Sequence, residues 1–574
     1  MASFRSVFAF GLVLCTLLAA CAPPTPRQES VAGSGVATVS GPKRIVAVIR
    51  SAPASMARQK TNPPGLVGSV PGLDALEELV HSGLTHSSPD GGWLPVLAEQ
   101  TPTVENGLWR VFPDGRMETT WRIRPNARWH DGAPVTTEDL LFTTIVEQDA
   151  EVGIPRNPAY ELIESIQAVD AATITVNWKR PFIEADAMFS YPLALPMPKH
   201  LLEKAYNEDK ANFLGIPYWT DEFVGTGPFR IREWVTDSHV VARAFDGYVL
   251  GRPKIDEVEV RFIPDPNTLM ANMLAGLELT IGRTISLDQA LQLRDQWHDG
   301  GFQTRPTGWV PINTQFINPD PPIVTDYRFR RAMLEAIDRQ QLDEILMGGV
   351  GGIADTFISR DHSEYRTIES RLVKYSYDPR SAAQALEALG YVKGTDGMLV
   401  GSTGQRLSVS IYTTIQNDIH PKATATVADY WKNAGVGVDQ NIIPIQRAQD
   451  REYRAQFPSF ELVQTGSSLA ARDVRRFHSA STPLPENRFQ VTGNNSRYKN
   501  PELDSAIDRY LTSIPRTDRL QALGDIVRVQ SENLPILPLI FFVSPTMIAH
   551  RLTNIVARGD QFTEAWNAHE WDVR

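Results

Sequence analysis

The chain has 574 residues, of which 42% are hydrophobic and 21% are charged, so it is globular and long enough for two or three domains. Its formal net charge of −11 argues against nucleic acid as the main partner. The only two cysteines, Cys15 and Cys21, fall in the first segment, which excludes a disulfide or a cysteine metal site from the folded body.

The N-terminal segment has the pattern of an export signal. Arg5 provides a positive charge, and the apolar run FAFGLVLCTLLAA that follows is too short to span a bilayer comfortably. The run ends in the sequence LAAC, which matches the lipobox of bacterial lipoproteins; an ordinary signal peptide cut near Ala20 is the alternative. We predict a signal peptide over residues 1–20, lipidation of Cys21 and attachment to a membrane through two or more acyl chains.

Residues 21–42 are rich in Pro, Gly, Ser and Thr, which predicts a flexible tether. The folded body then begins with a strand over residues 44–50 and a helix over residues 73–80. Loops that follow sheet strands often contact ligands, so Ser51 is a candidate binding residue. Ordinary solvation of this loop is the alternative.

The stretch from Trp121 to Phe142, WRIRPNARWHDGAPVTTEDLLF, predicts a strand, a turn and the start of a helix. Apolar and polar residues alternate up to Ile123, as in a half-buried strand. Asp131-Gly132 is a turn dipeptide, and Thr136 stands three residues before Asp139, as in a capping box. We interpret the acidic side chains here as parts of a turn and a cap, not as a catalytic or metal site.

A glycine-rich stretch, Gly225 to Phe229, has the sequence GTGPF. Phosphate-binding loops need a Gly-Lys-Ser/Thr run and a following helix, and neither is present. We therefore predict a tight turn that leads into a strand pair. Further along, residues 326–342 predict an amphipathic helix whose arginines lie on a solvated face, with an anion site as the alternative.

These stretches resemble, in order and spacing, the motifs of the extracellular solute-binding proteins of ABC importers, family 5, the peptide/nickel group. HDGAPVTTEDLLF is similar to the family signature around its HDG turn, and GTGPF is similar to its GTGPY segment. DYRFRRAMLEAIDR, YDPRSAAQALEALGY and LPILPL resemble later motifs. The resemblance covers roughly residues 43 to 550.

The resemblance implies an α/β fold of the periplasmic-binding-protein type (type II, cluster C), a two-lobed clamp that closes over a ligand. An extra small α/β subdomain would decorate lobe I, and the chain crossings near residues 282 and 530 would be hinges. The implied division is 43–88 lobe I, 89–190 extra subdomain, 191–282 lobe I, 283–530 lobe II and 531–574 lobe I.

The candidate ligand contacts follow from the same resemblance. Peptide-binding relatives pair an aspartate with the peptide's α-amine, and its expected position here falls near Ala470. Asp473 is the nearest substitute, and Arg472 beside it could meet a carboxylate. Trp309 could stack on a ligand or lie in the core. The loop that carries these groups adds Ser467 and Ser468, whereas His478 nearby is expected at the surface.

The resemblance implies no cofactor, no metal and no catalysis. The expected partners are a small-molecule or oligopeptide ligand, an ABC permease with its ATPase subunits, and a membrane held through the lipid anchor. We expect a monomer outside the cytoplasm, in the periplasm or on the outer face of the cell membrane. The alternatives are a ligand sensor for a membrane receptor and an extracytoplasmic hydrolase, although no hydrolase motif such as G-x-S-x-G or H-E-x-x-H is present.

Overall fold

The computed structural model describes residues 41–57, 70–89, 91–154, 157–191, 193–415, 419–490, 493–559 and 563–574. The predicted signal peptide, Cys21 and nearly all of the tether lie outside these residues. Within the described part of the chain, no helix combines the length and the apolar character that crossing a membrane requires.

The strands are β1 Arg44–Ile49, β2 Thr85–Ser87, β3 Trp93–Pro95, β4 Trp109–Val111, β5 Met117–Arg122, β6 Ile163–Ala168, β7 Thr173–Trp178, β8 Phe229–Val235, β9 His239–Ala244, β10 Glu257–Phe262, β11 Leu279–Thr280, β12 Gly300–Thr314, β13 Val392–Lys393, β14 Leu399–Val400, β15 Ser408–Thr414, β16 Gly437–Ile443, β17 Phe460–Leu462, β18 Thr465–Gly466, β19 Ile536–Ala549, β20 Leu552–Thr553 and β21 Asp572–Val573.

The α-helices are α1 Leu73–Val80, α2 Thr137–Gln148, α3 Pro158–Glu161, α4 Lys199–Glu208, α5 Pro266–Leu274, α6 Leu287–Arg294, α7 Tyr327–Glu335, α8 Arg339–Met347, α9 Tyr365–Ile368, α10 Pro379–Ala388, α11 Ile419–Asn433, α12 Arg451–Ala455, α13 Ala471–Arg475, α14 Pro501–Thr512 and α15 Arg516–Asn533.

One large mixed sheet runs through the folded body in the order β16-β15-β17-β12-β19-β11-β1-β10-β9-β8, with β18 paired to β12. Its centre is the long antiparallel pair β12 and β19. One hydrophobic core packs around β1, β9 and β10, and another packs around β12, β15 and β17. The chain therefore forms two lobes that share one pair of long strands, which is the predicted two-lobed clamp.

The β12–β19 pair changes register between Pro306 and Gly308. Residues 300–306 pair with 543–549 beside β11, and residues 308–313 pair with 536–542 beside β17 and β18. A Cβ at Gly308 would lie 2.5 Å from the carbonyl oxygen of Thr465, so this crossing needs glycine. The pair thus runs from the core around β1 to the core around β12, and the crossings near residues 282 and 530 stay predictions.

A separate four-stranded sheet, in the order β4-β5-β7-β6, lies within residues 109–178. These strands fall inside the stretch predicted as an extra subdomain. Its core is continuous with a cluster that also contains side chains of α14 and α15. The exact lobe boundaries stay a prediction.

The HDG and GTG stretches form a single structural unit. His130 Nδ1 accepts from the backbone N–H of Gly225 at 3.2 Å, and its Nε2–H donates to the carbonyl of Gly227 at 3.0 Å. A Cβ at Gly225 would lie 2.1 Å from the carbonyl oxygen of Val80, which explains the glycine. The loop leads into β8 at Phe229, as predicted. The backbone N–H groups of residues 225–227 all donate hydrogen bonds to other parts of the protein.

The capping prediction is confirmed at α2. The Thr136 backbone N–H donates to Asp139 Oδ2 at 2.9 Å, and the reciprocal side-chain bond is also present. Gly132 has a φ of 92°, the left-handed conformation that the Asp131-Gly132 turn requires. The cluster of acidic residues is therefore structural, as we interpreted it.

The prediction of a single solvated helix over residues 326–342 is wrong. The segment forms α7 and α8 with a break between them, and Arg330 and Arg339 are buried. Arg330 donates to the carbonyls of Val324, Asn533 and Leu534, and Arg339 donates to those of Ala354, Tyr375 and Pro538. These guanidinium groups satisfy buried carbonyls that a shorter or less branched side chain could not reach.

Candidate functional site

The segment from Thr465 to Arg476 lies directly beside the strand crossing. Thr465 pairs with Trp309 and Gly466 pairs with Gly308, so the segment leaves the sheet at the point where β12 passes between the lobes. Its first helical turn, α13, begins at Ala471. The structure therefore brings five of the predicted contact residues together, namely Trp309, Ser467, Ser468, Arg472 and Asp473.

Trp309 is 3% exposed and packs within the core cluster that includes Phe357. Its indole lines a cavity of about 20 Å³ with Arg339, Thr356 and Gln530, which is room for about one water molecule. Among the described residues, none accepts a hydrogen bond from Trp309 Nε1. Of its two predicted roles, the buried one is observed in this structure.

Asp473 is held by arginines on its own segment. Its Oδ1 lies 2.5 Å from the Arg476 guanidinium, its Oδ2 lies 3.8 Å from Arg472 Nε, and the residue is 8% exposed. Arg472 keeps 57% of its side chain exposed. The Asp473 carboxylate thus orients both guanidinium groups. Of Arg472 and Asp473, Arg472 is the more exposed to solvent.

The two serines shape the loop. Ser467 Oγ donates to the carbonyl of Phe357 at 2.6 Å, and Ser468 Oγ accepts from the N–H of Ala470 at 3.0 Å. His478, expected at the surface, is half-buried, with Nε2 3.5 Å from Oδ1 of Asp508. Its Nδ1 accepts from the N–H of Ala480 at 2.9 Å and caps a short 3₁₀ helix.

Ser51 is half-buried at the end of β1, on the other lobe. No hydrogen bond or ion pair between described residues joins it to the segment around Arg472. The structure therefore separates this predicted residue from the other five. Cys21, the predicted lipidation site, lies outside the described residues.

Contacts that the sequence analysis missed connect the extra-subdomain stretch with the Thr465–Arg476 segment. Glu184 Oε1 accepts from the N–H of Ala471 at 3.0 Å. A separate contact joins the same stretch to a loop outside that segment, because a Cβ at Gly91 would lie 2.7 Å from Nε2 of His362. The only sequence signal was an acidic pair inside an apolar run, FIEADAMF, and it became meaningful only once the fold supplied the facing segment.

The described residues contain no group of three or more His, Cys, Asp or Glu side chains that could hold a metal ion. Burial lowers the pKa of His81 to about 3 and that of His130 to about 4, so both rings are neutral at pH 7. Their hydrogen bonds to backbone groups agree with that state. Both ring nitrogens of each histidine are engaged in hydrogen bonds within the fold.

The sequence model of bacterial extracellular solute-binding proteins, family 5, matches residues 95–477. That is about two thirds of the chain. This chain belongs to family 5 of the bacterial extracellular solute-binding proteins. The predicted family is thereby confirmed, and with it a location outside the cytoplasm.

Relatives and solved structures agree with this membership. A putative ABC transporter peptide-binding protein of Brucella ovis is 24% identical over 432 residues, which cover 74% of this chain and 76% of the relative. The oligopeptide-binding protein of Thermus thermophilus, solved with a pentapeptide, has a TM-score of 0.62 at 23% identity, covering 93% of this chain and 97% of that one. NikA of Brucella suis, solved with Fe(III)-EDTA, has a TM-score of 0.70 at 19% identity, covering 92% and 100%.

These solved structures share the clamp fold but bind different solutes, a peptide in one case and a metal chelate in the other. Fold alone therefore does not choose the ligand of this family 5 protein. That choice depends on the side chains of its own site.

Proposed function

We propose that this protein captures a peptide-like or other small polar solute between its two lobes and delivers it to the permease of an ABC importer. The observation that supports this most strongly is the position of the Thr465–Arg476 segment beside the β12–β19 crossing. A solute held there contacts both lobes only when they are close together, so binding favours closure. Catalysis has no part in the proposal.

The proposed contacts are the six residues predicted from sequence, with sharper roles. Arg472 receives a carboxylate of the solute bidentately, and Asp473 with Arg476 orients it. Ser467 and Ser468 fix the loop backbone beneath the solute. Ser51 contributes from lobe I at closure. Trp309, which is buried in the core and pairs with Thr465, stabilises the strand that precedes this loop.

The anchor and the partners complete the proposal. Lipidated Cys21 and the tether over residues 21–42 hold a monomeric clamp near a membrane, within reach of a permease whose ATPase subunits power import. The relatives named as ABC transporter peptide-binding proteins support this part. The lobe division at residues 43–88, 89–190, 191–282, 283–530 and 531–574 is part of the same proposal.

The test is a solute screen on the soluble form that begins at residue 22. Libraries of peptides, opines, sugars and metal chelates are added while intrinsic fluorescence and melting temperature are recorded. The 12 tryptophans report closure, and a ligand present at 100 times its dissociation constant stabilises the fold by about 2.7 kcal/mol. We expect one class to raise the melting temperature and change the fluorescence. No response to any class would contradict the proposal.

A further inference from the structure

The small cavity beside Trp309 is enclosed by parts of the chain that lie far apart in sequence. Strand β12 contributes Trp309, the loop after α8 contributes Thr356, and helix α15 contributes Gln530. The cavity has a volume of about 20 Å³. A guest in it is therefore the size of one water molecule and not larger.

Each of these three side chains brings a buried polar atom without a partner. Trp309 is 3% and Thr356 is 6% exposed, and the Nε2 atom of the partly buried Gln530 is shielded from solvent as well. No described residue forms a hydrogen bond with Trp309 Nε1, Thr356 Oγ1 or Gln530 Nε2. Buried polar atoms in native proteins are nearly always hydrogen-bonded, so three such atoms around one cavity point to a guest that bonds them.

The chemistry of these atoms selects an acceptor. The indole N–H and the amide NH₂ can only donate, and the hydroxyl of Thr356 can donate or accept. Two other hydroxyls that line the cavity are already used, because Tyr375 Oη donates to the Ser531 carbonyl at 2.7 Å and Ser531 Oγ donates to the Arg528 carbonyl at 3.1 Å. An anion can accept from all three free groups, whereas a water molecule also needs acceptors for its own hydrogens.

The charge beside the cavity has the sign that an anion needs. Arg339 and Asp355 both line the cavity, and Nη2 of Arg339 lies 3.4 Å from Oδ1 of Asp355. Nη2 of Arg360 lies 3.1 Å from the other carboxylate oxygen. Two guanidinium groups and one carboxylate leave a formal charge of +1 here. A buried anion is costly unless such a positive charge and hydrogen-bond donors accompany it.

We propose that this cavity binds one chloride ion, held by the N–H groups of Trp309 and Gln530 and by the hydroxyl of Thr356. A monatomic anion fits the volume of one water molecule, and phosphate or sulfate does not. The inference goes beyond the proposed function and holds whatever solute the protein captures.

The chloride ion connects the core to the loop of the candidate solute site. Trp309 pairs with Thr465, and the carbonyl of Phe357, next to Thr356 in the chain, accepts from Ser467 Oγ. The ion joins both of these supports to helix α15 through Gln530. Chloride therefore stabilises the strand pair at Trp309 and Thr465 as well as the fold as a whole.

The first test is urea unfolding of the full-length protein in a non-ionic detergent, with sodium gluconate replaced stepwise by sodium chloride. A constant ionic strength keeps the screening of surface charges unchanged. We expect the unfolding equilibrium constant to fall about elevenfold when chloride reaches about ten times its dissociation constant. Equal stability in gluconate and in chloride would overturn the proposal.

The Thr356→Val/Gln530→Met variant removes two donors and nearly keeps the volume of both side chains. Its stability should not depend on chloride, and in gluconate it should be at least as stable as the wild type, because buried polar groups without partners are gone. Gln530→Met alone is the second variant and should weaken the chloride effect. The matched control, Thr367→Val/Gln521→Met, makes the same changes at exposed positions and should respond to chloride like the wild type. A wild-type response in the Thr356→Val/Gln530→Met variant would overturn the proposal.

The second test identifies the guest directly. Crystals of the full-length protein grown in sodium chloride are measured at a long X-ray wavelength, where chlorine scatters anomalously. We expect an anomalous peak within hydrogen-bonding distance of Trp309 Nε1, Thr356 Oγ1 and Gln530 Nε2. Density there without an anomalous signal would identify a water molecule and overturn the proposal, as would direct hydrogen bonds among the three side chains.

The link to the candidate solute site has its own measurement. Hydrogen exchange of the backbone N–H groups of Trp309 and Thr465 should slow in chloride in the wild type, by more than that of β4 in the separate sheet. The Thr356→Val/Gln530→Met variant should show no such slowing. Exchange at Trp309 and Thr465 that ignores chloride in the wild type would contradict the supporting role of the ion.

Discussion

His130 joins two loops that lie 95 residues apart in the chain, because its imidazole accepts from Gly225 N–H and donates to Gly227 carbonyl oxygen. Replacing His130 by alanine leaves two buried backbone groups without partners, which should cost about 2–4 kcal/mol of unfolding free energy. Urea unfolding measures this change. His298→Ala is the control, since His298 is exposed and its loss should change stability by less than about 0.5 kcal/mol.

Stability should fall as the pH drops below 6.5, because three buried histidines are neutral in the fold. Burial lowers the pKa of His81 to about 3 and those of His130 and His420 to about 4. Their contribution is complete above the unfolded pKa of about 6.5 and is lost toward pH 4. Between pH 7.5 and 5.0, each should remove about 2 kcal/mol.

Asp186 and Glu184 have the opposite linkage, since burial raises the pKa of each. The histidine effect is therefore best measured by urea unfolding in the Glu184→Gln/Asp186→Asn variant. Burial also raises the pKa of Asp139, Asp343, Glu461 and Glu564, so the histidine effect is read from one further substitution. His420→Gln in that variant should remove about 2 kcal/mol of the loss between pH 7.5 and pH 5.0, and an unchanged loss would contradict a buried neutral His420.

Arg339→Lys should destabilise the second lobe by about 3 kcal/mol. A lysine provides one ammonium group in place of a guanidinium that reaches three carbonyls and Asp355, so buried acceptors lose their donors. Arg331→Lys, eight residues earlier on the neighbouring helix, is the matched control because its side chain is 48% exposed. Thermal unfolding of both variants measures the difference in stability. Equal melting temperatures would show that the hydrogen bonds of Arg339 to buried carbonyls do not stabilise the lobe.

Arg472→Gln should weaken solute binding at least tenfold while leaving the melting temperature of the ligand-free protein unchanged. The side chain is 57% exposed and contributes little to packing, whereas a bidentate contact to a carboxylate is strong. Calorimetric titration with the solute that scores best in the screen measures the loss. Arg476→Gln is the comparison, because it breaks the buried contact with Asp473 and should lower the melting temperature as well.

Much of the secondary structure could be predicted because local sequence patterns determine where these helices and strands begin and end. The α1 helix begins and ends where predicted, and the strand at Met117 and the cap at Thr136 follow from alternation and spacing. The α7–α8 break was missed because the arginines fit an amphipathic pattern. Most of their acceptors are far away in the chain, among them the carbonyls of Asn533 at the end of α15 and of Pro538 in β19, which no local pattern reveals.

The site was only partly predictable for a related reason. The resemblance made the Ser467–Asp473 stretch and Trp309 separate candidates, and the structure places both at one strand crossing. Glu184 comes from a segment 287 residues earlier, so its hydrogen bond with Ala471 exists only in the folded chain. The buried state of Trp309 likewise depends on α15, which covers it.

Native mass spectrometry of the protein purified from its own cells tests the central claim, capture of a small solute by the clamp, most directly. We predict that the folded protein carries an additional mass of a small polar compound, which is released on denaturation. A folded protein whose mass equals that of the same protein after denaturation, and which gains no mass from an extract of the same cells, would contradict the claim.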